Sequence, residues 1–293
     1  MKTESYNISW GAHKLELGQR TCIMGILNVT PDSFSDGGLY SSHNAAVAMG
    51  KKMVEDGADI IDIGGESTRP FSEPVSIEDE IQRVVPVIKD LAKHISVPVS
   101  IDTTKAEVAR QAIEAGASII NDISALNNDD KMVEVAAEYR VPVILMHMLG
   151  TPETMQVAPY YDDLFGEIKD FLKNAVAKAE KNGIERSKII IDPGIGFGKT
   201  IEHNLLLIKN LHKFNELKLP VLIGPSKKAF IRKLLQNKTE KEIKPDQPEA
   251  ETGTQAAIAA AVLNGANIIR VHNVSNTLST IKIIDAIKNV ISH

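Results

Sequence analysis

The sequence predicts an α/β fold, a (β/α)8 barrel of the TIM type with an N-terminal β-hairpin in front of it. Three observations carry that expectation. Eight short β-branched apolar runs alternate with longer amphipathic segments, a glycine-then-strand design recurs along the chain, and 293 residues is a length that such barrels commonly fill as one domain. Length alone would also allow two domains, but no linker divides the chain, so residues 1–293 are read as one unit. A doubly wound open sheet uses the same local pattern; the count of eight βα units favours closure into a barrel.

In chain order, Tyr6-Asn7-Ile8-Ser9-Trp10 and Lys14-Leu15-Glu16-Leu17 alternate apolar and polar residues around a turn at Gly11-Ala12-His13, which predicts a hairpin that plugs one end of the core. The eight apolar runs begin near Cys22, Asp59, Val97, Ser118, Val141, Ile189, Val221 and Asn267, with room between them for a crossover helix. Asp56-Gly57-Ala58-Asp59-Ile60-Ile61, Ala115-Gly116-Ala117-Ser118-Ile119-Ile120 and Asn264-Gly265-Ala266-Asn267-Ile268-Ile269 share one design. In each, a glycine stands where a helix should stop and a strand follows. The polar stretch from Asn237 to Asp246 reads as a solvated loop between two helices of the seventh unit.

Composition narrows the function classes. Hydrophobic residues at 43% and charged residues at 24% describe an ordinary globular chain. A net charge of -5 argues against a nucleic-acid surface, which needs a basic patch to neutralise phosphates. No apolar run approaches the roughly 20 residues that span a bilayer. Cys22 is alone and cannot form an intramolecular disulfide, and Met1-Lys2-Thr3-Glu4-Ser5 has no apolar signal core, so a reducing cytoplasm is expected. Cys22 itself reads as a small buried residue at the start of the first barrel strand. His43, His203 and His212 read as helix-end or surface histidines, and no Cys/His spacing suggests zinc.

The chemistry concentrates where apolar runs end. Met24-Gly25-Ile26-Leu27-Asn28 runs straight into the turn-forming Val29-Thr30-Pro31-Asp32-Ser33-Phe34-Ser35-Asp36-Gly37-Gly38, and Asp62-Ile63-Gly64 opens into Gly65-Glu66-Ser67-Thr68-Arg69-Pro70, where hydroxyls and a cation suit an anion. In a barrel the active site lies at the C-terminal strand ends. The polar residues there are Asn28, Asp62, Asp102, Asn121, His147, Asp192, Arg270 and His272. Any one strand-terminal Asp or Asn is as readily a helix or turn cap, but several at equivalent positions are harder to explain that way. Arg270 and His272 sit two apart on a predicted strand and share a side, a geometry that could grip a pyrophosphate, although either residue alone reads as a salt-bridged or satisfied strand-end side chain. The glycines of Gly194-Ile195-Gly196-Phe197-Gly198 are on their own only a generic phosphate-loop signal.

Taken together, the two loops, Ile191-Asp192-Pro193-Gly194-Ile195-Gly196-Phe197-Gly198-Lys199-Thr200 and Arg270-Val271-His272 resemble the dihydropteroate synthase family, from about Cys22 to the last helix. That resemblance implies condensation of 6-hydroxymethyl-7,8-dihydropterin pyrophosphate with p-aminobenzoate. It assigns the pterin to Asp102, Asn121, Asp192 and Lys228; a pterin offers paired N–H donors to a carboxylate and needs donors for its carbonyl and ring nitrogens. It assigns the pyrophosphate to Asn28, Thr68, Arg69, Arg270 and His272, with Asn28 helping to hold a Mg²⁺ that bridges diphosphate oxygens. The p-aminobenzoate falls to Phe34, Pro70, Phe197 and Ser226. Asp36, Arg69, Lys228, Arg270 and His272 are the implied catalytic groups, and Phe34 and Asp36 would cover the reacting carbon. The resemblance makes Met146 as well as Phe197 a candidate wall, but only Phe197 is assigned there, since an apolar strand end is more often core packing. A homodimer through the last helices is implied as well.

The chain departs from the family at three points. Ser226-Lys227-Lys228-Ala229 stands where Ser-Arg-Lys-Ser is usual, Phe71 replaces a common glycine, and Asn273 a common aspartate. These concern affinity for the amine substrate, loop motion and drug sensitivity, or a different acceptor. The alternative reading is a pterin-dependent methyltransferase, which shares the pterin carboxylates but has no comparable anion for Thr68-Arg69-Pro70 and Arg270-Val271-His272. An inactive pterin-binding paralogue is a third.

Overall fold

The antiparallel pair β1 (Tyr6–Trp10) and β2 (His13–Leu17) opens the chain, with Ile8 facing Leu15 and Trp10 facing His13 across the hairpin. The computed structural model describes residues 4–30, 38–67, 74–152, 154–236 and 242–290, with backbone alone at 38–42. Eight further strands follow: β3 (Cys22–Asn28), β4 (Ile60–Gly64), β5 (Val99–Asp102), β6 (Ile119–Asp122), β7 (Val143–Met146), β8 (Ile189–Asp192), β9 (Leu222–Ile223) and β10 (Ile268–Val271). They pair in parallel in the order β8-β7-β6-β5-β4-β3-β10-β9. A bridge between Ile191 and Val221 joins the two ends of that order, so the sheet closes into the expected barrel. Each strand begins within two residues of the expected position.

Crossover helices α1 (Gly38–Glu55), α2 (Ile77–Leu91), α3 (Ala106–Ala115), α4 (Met132–Tyr139), α5 (Leu164–Lys181) and α6 (Ile201–Lys209) follow β3 to β8. After β9 come α7 (Ala229–Leu235) and α8 (Pro248–Leu263), and α9 (Val274–Asn289) follows β10. The recurring glycines do what the pattern asks: Gly57, Gly116 and Gly265 have φ of 101°, 120° and 115°, a region that side-chain-bearing residues rarely adopt, and each ends a helix just ahead of a strand.

The two-residue period of the strands sorts their side chains. Ile23, Ile61, Ile101, Ile120, Leu145, Ile191 and Ile269 face outward and pack under the helices. Cys22, Met24, Ile60, Ile119, Ile144, Ile190, Leu222 and Ile268 face inward and form a second apolar cluster with Ile8, Trp10, Leu15 and Leu17 of the hairpin. The hairpin therefore plugs the barrel floor. Two residues further along several of the same strands, the inward positions change character to Asp62, Asn121, Asp192 and Arg270. Among the described residues no helix is long and apolar enough to cross a membrane.

Candidate active site

Strand register sets the height of the upper residues. Asn28 pairs with Gly64, Gly64 with Asp102, and Asp102 with Asn121, so these four share one level around an arc of the mouth. Asp62 lies one pleat lower on β4, and Gly64 above it leaves room: a Cβ there would stand 3.6 Å from Asp102 Cβ and 3.8 Å from Asn28 Oδ1. Arg270 reaches into this arc from β10. Its Nε donates to Asp62 Oδ2 and its Nη2 to Asp102 Oδ2, both at 2.6 Å, while Asn121 Nδ2 donates to the same Asp62 Oδ2 at 3.0 Å. Arg270, expected to face an anion, instead has its side-on edge engaged by two carboxylates.

Burial governs the electrostatics. Desolvation pushes the Asp102 carboxyl up to about 7, Arg270 opposes the rise and Asp62 adds to it. Desolvation likewise lifts Asp192 to about 6, against the Gly194 N–H, which donates to its Oδ1 at 2.7 Å, and against Lys228. The Lys228 ammonium is lowered to about 8 by burial and by Arg270, with Asp192 and Asp102 opposing. Burial thus moves Asp102, Asp192 and Lys228 each toward its neutral form, a perturbation that clusters at functional sites.

The segment after β8 builds the opposite wall. A Cβ at Gly194, whose φ is 73°, would run into the His147 carbonyl, so only glycine lets the chain pass there. Phe197 is buried, and its ring lies 3.9 Å from Lys228 Nζ, a cation–π contact. Lys199 donates to the Phe197 carbonyl at 2.9 Å and lies 3.0 Å from His147 Nδ1. Burial lowers both, Lys199 to about 7 and His147 to about 3. Phe197, Met146, Ile123 and Met155 form a small apolar cluster of their own at the mouth, so Met146, expected to be core, belongs to this wall.

Ser226, buried, shares a 2.9 Å hydrogen bond with His272 Nδ1, and His272 N donates to Ser226 Oγ at 3.3 Å. β10 ends at Val271, so His272 sits just past the strand rather than on it. Beside Asp102 a cavity of about 450 Å³ opens between Glu66, Thr103, Ile123, Met148 and Phe171. Glu66 accepts from Val75 N at 2.8 Å and from Lys105 Nζ at 2.7 Å, and Lys105 also binds the buried Glu80, which ties together the described residues on either side of 68–73.

Of the residues singled out from sequence, Asp102, Asn121 and Arg270 meet around Asp62, and Asp192, Lys228 and Phe197 form a second group coupled to them through charge. Ser226 and His272 form a third, and Asn28 stands at the level of Asp102. Phe34, Asp36, Thr68, Arg69 and Pro70 lie outside the described residues, as do Phe71 and residues 237–241 of the polar stretch. Asp62, Lys199 and His147 carried no assigned role, and the only signal for them was their position at strand ends or inside a glycine-rich motif. Among the described residues no group of three or more His, Cys, Asp or Glu side chains is arranged to hold a metal.

The pterin binding enzyme family model matches residues 24–272. The chain is 46% identical over 277 residues to the dihydropteroate synthase of a Synechocystis species, covering 94% of this chain and 93% of that one. It is 46% identical over 264 residues to the Escherichia coli dihydropteroate synthase, with 90% of each covered. Among solved structures it resembles the Yersinia pestis dihydropteroate synthase in a sulfonamide drug complex, with a TM-score of 0.88 at 41% identity over 96% of this chain and 98% of that one. It matches the Xanthomonas albilineans dihydropteroate synthase with 4-aminobenzoic acid equally well, at a TM-score of 0.88 and 42% identity over 98% and 100% of the two chains.

Proposed function

The chain belongs to the pterin-binding enzyme family, and from its barrel mouth we infer how it works as a dihydropteroate synthase. It is a transferase of folate biosynthesis that joins 6-hydroxymethyl-7,8-dihydropterin pyrophosphate to p-aminobenzoate, giving 7,8-dihydropteroate and pyrophosphate. The observation that carries this reading is the convergence of acids and cations from separate strands, Asp62, Asp102, Asn121 and Arg270, joined by bonds of 2.6 to 3.0 Å beside Asp192 and Lys228.

The pterin lies against Asp102, Asn121, Asp192 and Lys228. The carboxylates accept its adjacent N–H donors and Lys228 donates to its carbonyl side. Arg270 and His272, with Thr68 and Arg69, draw the diphosphate away from the pterin methylene carbon. As that C–O bond breaks, the pterin ring delocalises the positive charge, the aniline nitrogen forms the new C–N bond, and the amine releases a proton. Catalysis then comes from stabilising the leaving group and placing the amine, with no covalent nucleophile. Phe197 and Ser226 line the amine's side, and the family resemblance adds Phe34 and Pro70 to the amine site and Asp36 to the reacting carbon; a sulfonamide would enter as a mimic of p-aminobenzoate.

Mg²⁺ suits one donor among the described residues of this mouth. It keeps several waters and substrate phosphate oxygens and needs few protein ligands, and the Asn28 side-chain oxygen beside Gly64 and Asp102 offers one. Asn28 would hold it, and the charge it supplies when bound offsets that of the diphosphate. A homodimer in the cytoplasm completes the reading. Incubation with dihydropterin pyrophosphate, p-aminobenzoate and Mg²⁺ tests it: dihydropteroate and free pyrophosphate are expected in equal amounts. A folded protein that binds pterin and yields neither product is the inactive paralogue, and methyl transfer from a methylated pterin would favour the methyltransferase.

A further inference from the structure

Asp62 is fully buried, and its two oxygens are unequally used. Oδ2 accepts from both Arg270 Nε and Asn121 Nδ2, whereas Oδ1 is buried without a hydrogen-bond partner among the described residues. Leaving a buried carboxylate oxygen unpaired costs free energy, so the arrangement needs a reason. Arg270 supplies one. The Nε and Nη2 groups of a guanidinium form a planar edge that matches both oxygens of one carboxylate, yet here the edge is split between Asp62 and Asp102.

We propose that Asp62 is the permanent holder of Arg270 and that Asp102 is its resting partner: when a pterin takes Asp102, Arg270 Nη2 moves to Asp62 Oδ1, completing a two-point pair that leaves Nη1 for the diphosphate. The exchange balances. Arg270 trades one carboxylate oxygen for another, Asp102 trades a guanidinium for the pterin donors, and the one unpaired oxygen gains a partner. Asp62 touches no substrate, since its side chain is 0% exposed and lies one pleat beneath Asp102. It is a positioning residue. Because the same oxygen also fixes the Asn121 amide, one atom sets the pterin side of the mouth relative to its leaving-group side.

This inference rests on the assignment above of Asp102 to the pterin and Arg270 to the diphosphate, and its test separates the two. In a crystal structure of the wild-type protein with a bare pterin, Arg270 should span both oxygens of Asp62 at about 3 Å. Arg270 still seated on Asp102 beside the bound pterin overturns the proposal. In solution, Asp62→Asn should lower kcat/KM for the diphosphate substrate by about 10- to 100-fold, the cost of one charge-assisted hydrogen bond, and weaken bare-pterin binding by a smaller factor, because the amide oxygen left at position 62 can still accept from Asn121. In an Arg270→Ala background the same change should cost less than about threefold, because a residue that acts through another loses its effect when that partner is gone. Asp62→Ser carries the same expectation should Asp62→Asn not fold. Losses that simply multiply show a purely structural role and overturn the proposal while leaving the diphosphate assignment standing. Wild-type turnover by Arg270→Ala overturns that assignment, and this inference with it.

Discussion

The floor and the mouth of the barrel are built from the same strands, two residues apart. On β8, Ile190 faces inward at 0% exposure among Ile144, Leu222 and the hairpin, and Asp192 faces inward at 6% exposure near Lys228. The pleat gives both the same direction, so what differs is only chemistry. An apolar floor lowers the free energy of the fold by about 1.5–3 kcal/mol for each fully buried aliphatic side chain. A buried carboxylate does the reverse unless it is paired, and the mouth tolerates several because Arg270 bridges Asp62 and Asp102 and Lys228 stands near Asp192. This barrel therefore separates stability from chemistry along the strand axis, and the hairpin closing the floor leaves the other end open for a ligand.

The sharpest way to break that separation is to swap the two roles on β8. Ile190→Ala should cost about 2–5 kcal/mol of stability, through lost burial and the cavity left behind, and shift Tm by several degrees. Its affinity for pterin, measured on the folded protein, should stay within about twofold. Denaturant unfolding and calorimetric titration report the two quantities separately; a large affinity loss with unchanged stability would show that the floor reaches into the site.

Asp192→Asn should do the opposite. An amide replaces only half of a carboxylate that accepts paired N–H donors, and mispaired buried donors cost about 1–3 kcal/mol, or roughly 5- to 150-fold in pterin affinity. Its effect on stability depends on pH. The folded state raises the Asp192 pKa from 3.8 to about 6, so the native protein holds this proton more tightly than the unfolded chain. That contribution is fully present below about pH 4 and is lost as pH rises through 6. Removing the titration should therefore raise the Tm of Asp192→Asn relative to wild type as pH goes from 4 to 7. A Tm difference that stays flat, or moves against the variant, would mean that Asp192 is better paired than its burial implies.

How much of this was legible in the sequence follows the range of the interactions. The βα alternation, the glycine helix stops and the hairpin are local patterns, and each strand began within two residues of its expected place. Strand-end polar residues were legible as a set, because a barrel brings all its strand ends to one face. Their partners were not. Arg270 finds Asp62 across 208 residues of chain and Asp102 across 168, and no spacing rule anticipates that its edge is shared between them. Asp62 had the signature of a cap like any other strand-end aspartate. Met146 read as core because apolar residues at strand ends usually are; here the cluster it joins with Phe197 and Ile123 sits at the mouth instead of under a helix.

The smallest effect is expected at the rim, where the chain departs from the family pattern. Ala229 is exposed and opens α7, three residues after the buried Ser226 that bonds His272. Lys227 between them has a φ of 58° and donates its N–H to Thr254 Oγ1 at 3.0 Å, so the segment is held by its backbone and does not depend on the side chain at 229. Ala229→Ser should therefore leave the fold unchanged and add one donor for the p-aminobenzoate carboxylate. Discounted for exposure, that bond is worth about 0.5–1.5 kcal/mol, or roughly a 2- to 12-fold lower KM for the amine. A sulfonamide should gain less, since its sulfonyl oxygens accept hydrogen bonds more weakly than a carboxylate. Steady-state KM and a sulfonamide inhibition constant, measured on both proteins at saturating pterin substrate, decide the point: a KM that stays put or rises means that position 229 faces solvent and not the amine, and the hydroxyl for that carboxylate must then come from elsewhere at the mouth.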